Sequence, residues 1–159
     1  MQTVKMALVF GLLSGLLNGC ALFHKSDTTT LRIHEQVDSG IPGEHSIQAV
    51  IPLSNLKLSV SPFAALTEKD VSSAELYNTA GGQAIFVRFD IHGVVMLDTA
   101  TTRNRGRYLV TFLNNRPVAA WLVNQRILNG QFLIEGDFTD AEAKRAVDDL
   151  NKIGKANRE

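Results

Sequence analysis

Four histidines are the side chains in this sequence best suited to bind a metal ion or to transfer a proton. They are His24, His34, His45 and His92. Histidine metal sites commonly place two ligands one helical turn apart, as in H-x-x-x-H, or combine histidines with cysteines. These four histidines show neither arrangement. The sequence therefore predicts ordinary surface histidines and no metal site.

Three carboxylates lie at the ends of predicted helices, where general acids and bases also occur. Asp90 and Asp98 flank one predicted helix, and Asp137 precedes another. A carboxylate at the start of a helix commonly caps free backbone N–H groups and is stabilised by the helix dipole. The chain contains no G-x-S-x-G segment and no P-loop. These residues predict helix caps rather than catalysis, and no cofactor is expected.

The only basic cluster lies in a predicted loop around Gly106. It consists of Arg103, Arg105 and Arg107. Such a cluster is typical of a solvated loop. It could also contact anionic lipid head groups, a glycan or an acidic segment of a partner.

The single tryptophan, Trp121, lies on a predicted strand. If Leu122 faces the core, Trp121 faces outward, because side chains alternate along a strand. An exposed tryptophan beside the arginine loop would be a good contact anchor. The alternative is a tryptophan covered by a neighbouring helix or by the N-terminal segment.

The N-terminus has the pattern of a targeting segment. Lys5 precedes an uncharged apolar run over residues 6–17, which has the length of the apolar core of a secretory signal peptide. A helix of about 12 residues spans about 18 Å, well short of a hydrocarbon core of about 30 Å. The run therefore predicts a signal peptide and not a transmembrane anchor.

The end of this segment, Leu17-Asn18-Gly19-Cys20, contains the only cysteine. It resembles a bacterial lipobox, with leucine three residues before the cysteine and a small residue directly before it. The resemblance implies cleavage after residue 19 and lipidation of Cys20, which would anchor the protein to a membrane without a spanning helix. Ala21, where aspartate would favour the inner membrane, favours the outer membrane. The alternative is a plain signal peptide followed by an unrelated cysteine.

Length and composition indicate one globular domain. The chain has 159 residues, of which 45% are hydrophobic and 20% charged, and 16 Lys and Arg balance 16 Asp and Glu. A net-neutral chain lacks the basic footprint typical of nucleic-acid binding, so no nucleic-acid partner is predicted. One cysteine excludes an intramolecular disulfide and a cysteine-based zinc cluster.

Four regions follow from these patterns. Residues 1–19 are the predicted signal peptide. Residues 20–46 have weak periodicity and predict a lipidated cysteine with a flexible tether, in which a short strand is possible around residues 31–33. The folded domain is expected over residues 47–153, and residues 154–159 are expected to form a C-terminal tail.

The first half of the expected domain predicts two strands separated by a helix. Apolar and polar residues alternate over 56–60, which is typical of a half-buried strand, and Pro62 is expected to end it. Thr67-Glu68-Lys69-Asp70 resembles a capping box and predicts a helix that runs to about Tyr77. Gly81 and Gly82 end that helix, and a strand follows over 84–89.

The second half predicts a helix over 91–102, strands over 108–113, 118–123 and 132–134, and a final helix. Asn114 and Asn115 predict a tight turn, because asparagine adopts positive φ readily. Thr139 to Glu142 forms a capping box for the last helix, on which Asp148 and Asp149 are expected to face solvent. The order of elements predicts an α+β fold, with a mostly antiparallel sheet and the helices packed on one face.

Several short motifs lie along residues 51–150. They are Leu66-Thr-Glu-Lys-Asp-Val71, Ala84-Ile-Phe-Val-Arg-Phe89, Asn104-Arg-Gly106, Tyr108 to Val118, Ile127, Gly130, Ile134 and Gly136-Asp-Phe-Thr-Asp-Ala-Glu-Ala143. Together they resemble the head subdomain of the first periplasmic domain of SecD. Ala120-Trp121 departs from the Ser/Ala-Pro pair usual in that family. SecD also carries six membrane helices, whereas this sequence predicts a lipid-anchored head module alone.

The resemblance implies a non-enzymatic module that contacts emerging polypeptide. We therefore expect an envelope lipoprotein, facing the periplasm, that binds protein or extended peptide. An exposed apolar groove or sheet edge near Trp121 would favour this function. The alternative is a structural or assembly subunit of an envelope membrane complex, found in fixed stoichiometry with its partners. An enzyme would need a deep pocket with convergent carboxylates.

Overall fold

The computed structural model describes residues 28–38 and 45–158. The predicted signal peptide, Cys20, Ala21 and His24 lie outside these residues. The elements in chain order are β1 (Leu31–Gln36), β2 (Ile47–Ile51), β3 (Leu56–Thr67), β4 (Val71–Thr79), β5 (Gly82–Phe89), α1 (Ile91–Arg103), β6 (Tyr108–Leu113), β7 (Arg116–Leu122), β8 (Gln131–Ile134) and α2 (Asp140–Ala156).

The strands form two antiparallel sheets. A five-stranded sheet has the order β2-β3-β1-β6-β7, and a three-stranded sheet has the order β4-β5-β8. Both helices share one apolar core with the three-stranded sheet and with one face of the five-stranded sheet. The α+β class and the mostly antiparallel pairing predicted from the sequence are confirmed, but the strands form two sheets and not one. α2 packs mainly against β4 and β5 of the smaller sheet, and α1 contacts β3 of the larger sheet and β5 of the smaller one.

β1 corrects the predicted tether. It lies between β3 and β6 and pairs with both, at the centre of the larger sheet. Leu31 and Ile33 are fully buried in the main core. The strand was predicted only as a possibility because one short segment with alternating polar residues carries little local signal. Residues 31–36 are therefore part of the folded domain and not a flexible tether.

β3 is longer than predicted because a bulge accommodates Pro62. Ala64 pairs with His34 of β1 and Val60 with Gln36, so β3 has two more residues than β1 between these pairs. Proline is tolerated at such a bulge because no ladder hydrogen bond is needed there. Phe63, next to the proline, is 82% exposed. The prediction that Pro62 ends the strand is wrong.

His34 stabilises this bulge. It is buried, so the prediction of a surface histidine is wrong at this position. Its Nδ1 lies 2.8 Å from the Ser61 carbonyl oxygen, and its ring packs edge-on against Phe112 with centroids 4.9 Å apart. The side chain is buried, and this burial lowers the pKa of His34. The neutral ring is thus the form that fits the folded protein.

A second apolar cluster lies on the face of the larger sheet that carries no helix. Its buried members are Ala49, Ile51, Leu58, Val60, Val110 and Phe112. The edge strand β2 approaches the opposite edge strand β7, although the two are not hydrogen-bonded to each other. The sheet is therefore strongly curled. The side chains from β2 and the first half of β3 pack against Val110 and Phe112 of β6 and complete this cluster.

The predicted helix after Thr67 is a strand. Thr67 and Asp70 do form the expected capping box, in which the Thr67 N–H donates to Asp70 Oδ2 at 2.7 Å, but it caps a single 3-10 turn over Glu68–Asp70. The chain then continues as β4, which pairs with β5 along its length. Pairing with the next strand along the chain overrides the local helix signal here.

α2 begins at the predicted capping box and ends later than predicted. Thr139 caps the helix, and the helix continues to Ala156, so the expected tail at 154–159 begins inside it. Gly154 is buried against β4, where an added Cβ would overlap the Ser72 carbonyl oxygen. The space between the helix and the strand therefore requires glycine at this position.

Among the described residues, no helix is both long enough and apolar enough to cross a membrane.

Candidate binding surface

The arginine loop joins the end of α1 to the start of β6. Arg103 Nη2 lies 2.7 Å from Glu35 Oε1, and Arg107 Nη2 lies 2.7 Å from Asp38 Oδ2. These ion pairs fasten the loop to the end of β1 and balance two of its three charges. Arg105 is exposed and has no ion pair within the part of the chain that the structure describes. Of the three arginines of this loop, only Arg105 therefore offers an unbalanced charge to a partner.

Trp121 has the opposite orientation to the one predicted. It packs against the main core, with its ring centroid 5.7 Å from that of Phe132 at an interplanar angle of 84°. Leu122 points to the other face and is 46% exposed. The premise that Leu122 faces the core is wrong, and the apolar side chain exposed beside the arginine loop is Leu122.

One half of the β7 edge is hydrogen-bonded outside the sheet. The other half, here called open, has no such hydrogen bond among the described residues, although β2 lies close to β7. The Asp137 N–H donates to the Val118 carbonyl at 3.0 Å, outside the sheet. Because alternate residues of a strand direct their backbone groups to the same side, Ala120 and Leu122 also direct theirs away from β6. This open edge lies next to Trp121, where the sequence analysis placed the feature that would favour peptide binding.

Asp137 lies before α2, as predicted, and it also forms an ion pair. Its Oδ2 lies 2.8 Å from Arg116 Nη1, and the same guanidinium lies 3.2 Å from Glu142. The Thr139 backbone N–H, followed by the Thr139 hydroxyl and Arg116, lowers the pKa of Glu142. This network secures the start of α2 against the β6–β7 turn, which is a structural role.

The second open edge belongs to β4, in the segment that was predicted to be a helix. The residues beyond Ala74, from Glu75 to Asn78, are all exposed, with Leu76 at 39% and Tyr77 at 56%. The Tyr77 ring centroid lies 6.5 Å from that of Phe86 on β5. The Arg88 guanidinium lies 4.9 Å above the Phe86 ring and pairs with Glu75. The outer face of this hairpin therefore combines aromatic rings with a balanced ion pair.

Asp70, Asp90 and His92 form a cluster that the sequence analysis missed. Their ligand atoms lie within 4.8 Å of one another, which is a spacing that a metal ion could bridge. Each carboxylate also has a structural partner. Asp90 Oδ1 accepts the Gly93 N–H at 2.8 Å as the predicted helix cap, and Asp70 Oδ1 lies 2.7 Å from His92 Nδ1. The cluster joins the start of α1 to the 3-10 turn.

Asp98 is also structural. It forms a two-point ion pair with Arg126, which includes a 2.7 Å contact from Nη2 to Oδ2. The hydrogen bond from Arg126 lowers the pKa of Asp98. The pair holds the segment after β7 against α1.

The first residues that the structure describes, which precede β1, lie beside α2. The Thr29 backbone N–H and hydroxyl both donate to Asp149 Oδ2, at 3.2 and 3.0 Å. Burial raises the pKa of Asp149, but the hydrogen bonds from Lys152 and Thr29 outweigh it and lower the pKa. Asp149 is thus partly buried and not on the solvent side as predicted. A groove of about 700 Å³ lies here, lined by Thr28 and by α2 residues that include Ala141 and Ile153.

The contact between Thr29 and Asp149 lies at one end of the larger sheet, and the arginine loop lies at the other end. Leu31 pairs with Leu113, next to the Asn114-Asn115 turn, whereas Glu35 pairs with Leu109, next to the loop. Both asparagines have positive φ, as predicted, at 52° and 63°. The arginine loop is therefore separated from Thr28 by the length of β1.

Comparisons with known proteins agree with this fold. The sequence profile of the family described as SecDF, P1 head subdomain, matches residues 48–150. No curated protein sequence matches the chain.

Two solved structures share this fold. A structure described as that of a membrane component SecDF that enhances protein export matches with a TM-score of 0.61 and 19% identity, over 78% of this chain and 62% of that one. A crystal structure of SecDF in a super-membrane-facing form matches with a TM-score of 0.62 and 20% identity, over 78% of this chain and 19% of that one. The chain therefore spans less than two thirds of either protein, and at this identity the likeness concerns the fold.

Proposed function

Because this chain belongs to the SecDF P1 head subdomain family, we propose that it is a non-enzymatic envelope protein that binds protein or extended peptide through its head-like domain. It is held to the membrane, on the periplasmic side, by a lipid on Cys20. Ala21 favours the outer membrane as its location. In this proposal the mature chain begins at residue 20. The folded domain begins near residue 28, because β1 and the contact of Thr29 with Asp149 belong to the fold.

The observation that supports peptide binding is the presence of open sheet edges with exposed apolar side chains. Leu122 on β7 and Leu76 and Tyr77 on β4 are each at least 39% exposed. Edge strands with exposed apolar residues readily pair with other chains, and natural proteins usually protect them with charges, prolines or covering elements. Unprotected edges on a domain of this family favour contact with another polypeptide.

The lipid anchor leads to a direct prediction. Cys20→Ser is expected to move the protein from the membrane fraction to the soluble periplasmic fraction, because the acyl chains would no longer be attached. Membrane and soluble fractions of cells that express each form would be compared by immunoblotting after carbonate washing. Membrane retention of Cys20→Ser after removal of its signal peptide would contradict the anchor. Ser14→Ala, within the predicted apolar run, is the matched control and should remain in the membrane.

Binding is tested by photo-crosslinking in intact cells from the two open edges. A photoreactive amino acid at Leu122 or Tyr77 is expected to capture a spread of envelope polypeptides. The same residue at Asn115, in the exposed turn at the other end of the sheet, should capture far fewer. One dominant protein in constant ratio would instead indicate an assembly subunit. Capture of nothing from either edge would contradict binding of polypeptide.

A further inference from the structure

Asn151 of α2 occupies the place of a neighbouring strand at one point of β4. The Ala74 backbone N–H donates to Asn151 Oδ1 at 3.0 Å, and Asn151 Nδ2 donates to the Ala74 carbonyl at 2.9 Å. A carboxamide that both accepts from and donates to one residue reproduces the pair of hydrogen bonds that an adjacent strand would make. At Ala74 the outer edge of β4 is thus already paired, with a side chain in place of a strand.

The contact at Ala74 also identifies the outward-facing positions farther along β4. Pairing with β5 is regular from Ser73 to Thr79. Residues two apart in a strand direct their backbone groups to the same side, so Leu76 and Asn78 present their N–H and C=O groups outward like Ala74. Both residues are exposed, and no hydrogen bond to these backbone groups from outside the sheet occurs among the described residues.

The side chains on this edge indicate what kind of strand would fit. Leu76 lies opposite Ile85, on the core side of the hairpin, and Tyr77 lies opposite Ala84, on the outer side. Apolar side chains are therefore exposed on both faces at the open end. An added strand with alternating side chains would find an apolar contact on each face, whereas at β7 only Leu122 is exposed to this extent.

We propose that the open half of β4, from Glu75 to Asn78, accepts an extended apolar segment of another polypeptide as an additional strand, continuing the edge from Asn151. This inference rests on the proposed function for the class of partner and adds the site and the mode of binding. Main-chain hydrogen bonds supply the affinity, and the contacts at Leu76 and Tyr77 select apolar segments without a fixed sequence.

The test uses the full-length chain in detergent and a fluorescent ten-residue peptide of alternating valine and threonine with a lysine at each end. A second peptide carries N-methyl groups on alternate residues, which removes the N–H donors along one edge and leaves the side chains in place. Fluorescence anisotropy would measure both affinities. Strand addition predicts that N-methylation weakens binding by about tenfold or more, since several backbone hydrogen bonds are lost together.

Two protein variants locate the site. Asn78→Pro removes an outward N–H without removing a hydrogen bond to β5, because proline is tolerated on an edge strand whose N–H faces solvent. It is expected to weaken binding of the plain peptide about tenfold. Leu53→Ser, at an exposed leucine in the turn between β2 and β3, is the matched control and should leave the affinity within about twofold. Thermal unfolding of each variant would confirm that the fold is retained.

The outcomes separate this proposal from the proposed function. Equal binding of both peptides, or loss of binding in Leu53→Ser but not in Asn78→Pro, would overturn strand addition at β4. If polypeptides are captured in cells but neither peptide binds the purified protein, the β4 proposal fails and the proposed function stands. Absence of both capture and peptide binding would overturn the two together. The N-methylated peptide keeps the test valid even if Asn78→Pro fails to fold.

Discussion

A chain truncated to begin at residue 47 is expected to remain unfolded, whereas one that begins at residue 28 is expected to fold cooperatively. The shorter chain contains the whole segment that matches the family profile, residues 48–150, but it lacks β1. Loss of this strand removes the buried side chains of Leu31 and Ile33 from the main core. It also leaves β3 and β6 without their shared neighbour.

The expected loss is comparable to the total stability of a domain of this size. Burial of each large aliphatic side chain contributes about 1.5–3 kcal/mol. The unpaired backbone groups of two strands add further destabilisation. A domain of this size has a total stability of about 5–15 kcal/mol. Circular dichroism and urea unfolding of the two truncated chains would test this, and a cooperative transition in the chain that begins at residue 47 would contradict the importance of β1.

Trp121→Ala is expected to lower the free energy of unfolding by about 3 kcal/mol, because the partly buried ring packs against the main core and its truncation leaves a cavity there. Its ring packs edge-on against Phe132 and joins β7 of one sheet to β8 of the other. Trp121→Phe should lose less, since it retains a ring at this place. Urea unfolding at 25 °C would measure both variants.

The same variant distinguishes a structural tryptophan from a binding anchor. At temperatures where Trp121→Ala is folded, capture of polypeptide from position 122 should be unchanged, because Leu122 and not Trp121 faces the open side. Unchanged stability combined with lost capture would show that Trp121 is a contact residue after all. Leu122→Ser should leave the stability nearly unchanged, because the Leu122 side chain is 46% exposed.

The elements that could be predicted from the sequence are those with strong local signals. The capping box at Thr139 and the apolar spacing after it identify α2, and Asp90 identifies the start of α1. The turn at Asn114 and Asn115 follows from the ease with which asparagine adopts positive φ. In each case the determining residues lie within a few positions of one another, so a local pattern is sufficient.

The elements that could not be predicted depend on pairing with other strands. β1 is a strand because β3 and β6 lie on either side of it, and β4 is a strand because β5 pairs with it. The capping box at Thr67 is genuine, but the local pattern does not show that the helix ends after a single turn. The orientation of Trp121 was missed because alternation along a strand leaves open which set of residues faces the core.

The candidate binding surface was predicted only in part. The arginine loop was located correctly, but its ion pairs to Glu35 and Asp38 depend on the placement of β1, which the sequence analysis treated as tether. The β4 edge could not be foreseen while that segment was taken to be a helix. Asn151, which marks the edge, is one polar residue on an amphipathic helix, and no sequence signal distinguishes it from its neighbours.

The central position of β1 has a mechanical consequence for a protein held by a lipid on Cys20. Tension on the N-terminal segment would reach the domain along the axis of β1, between its antiparallel neighbours β3 and β6. Hydrogen bonds in such a ladder run across the strand, so a pull along its axis loads them together in shear instead of opening them one at a time. A domain attached to the membrane in this way can resist a load from a polypeptide held at its far side, since its anchor point is the strand that is hardest to peel away.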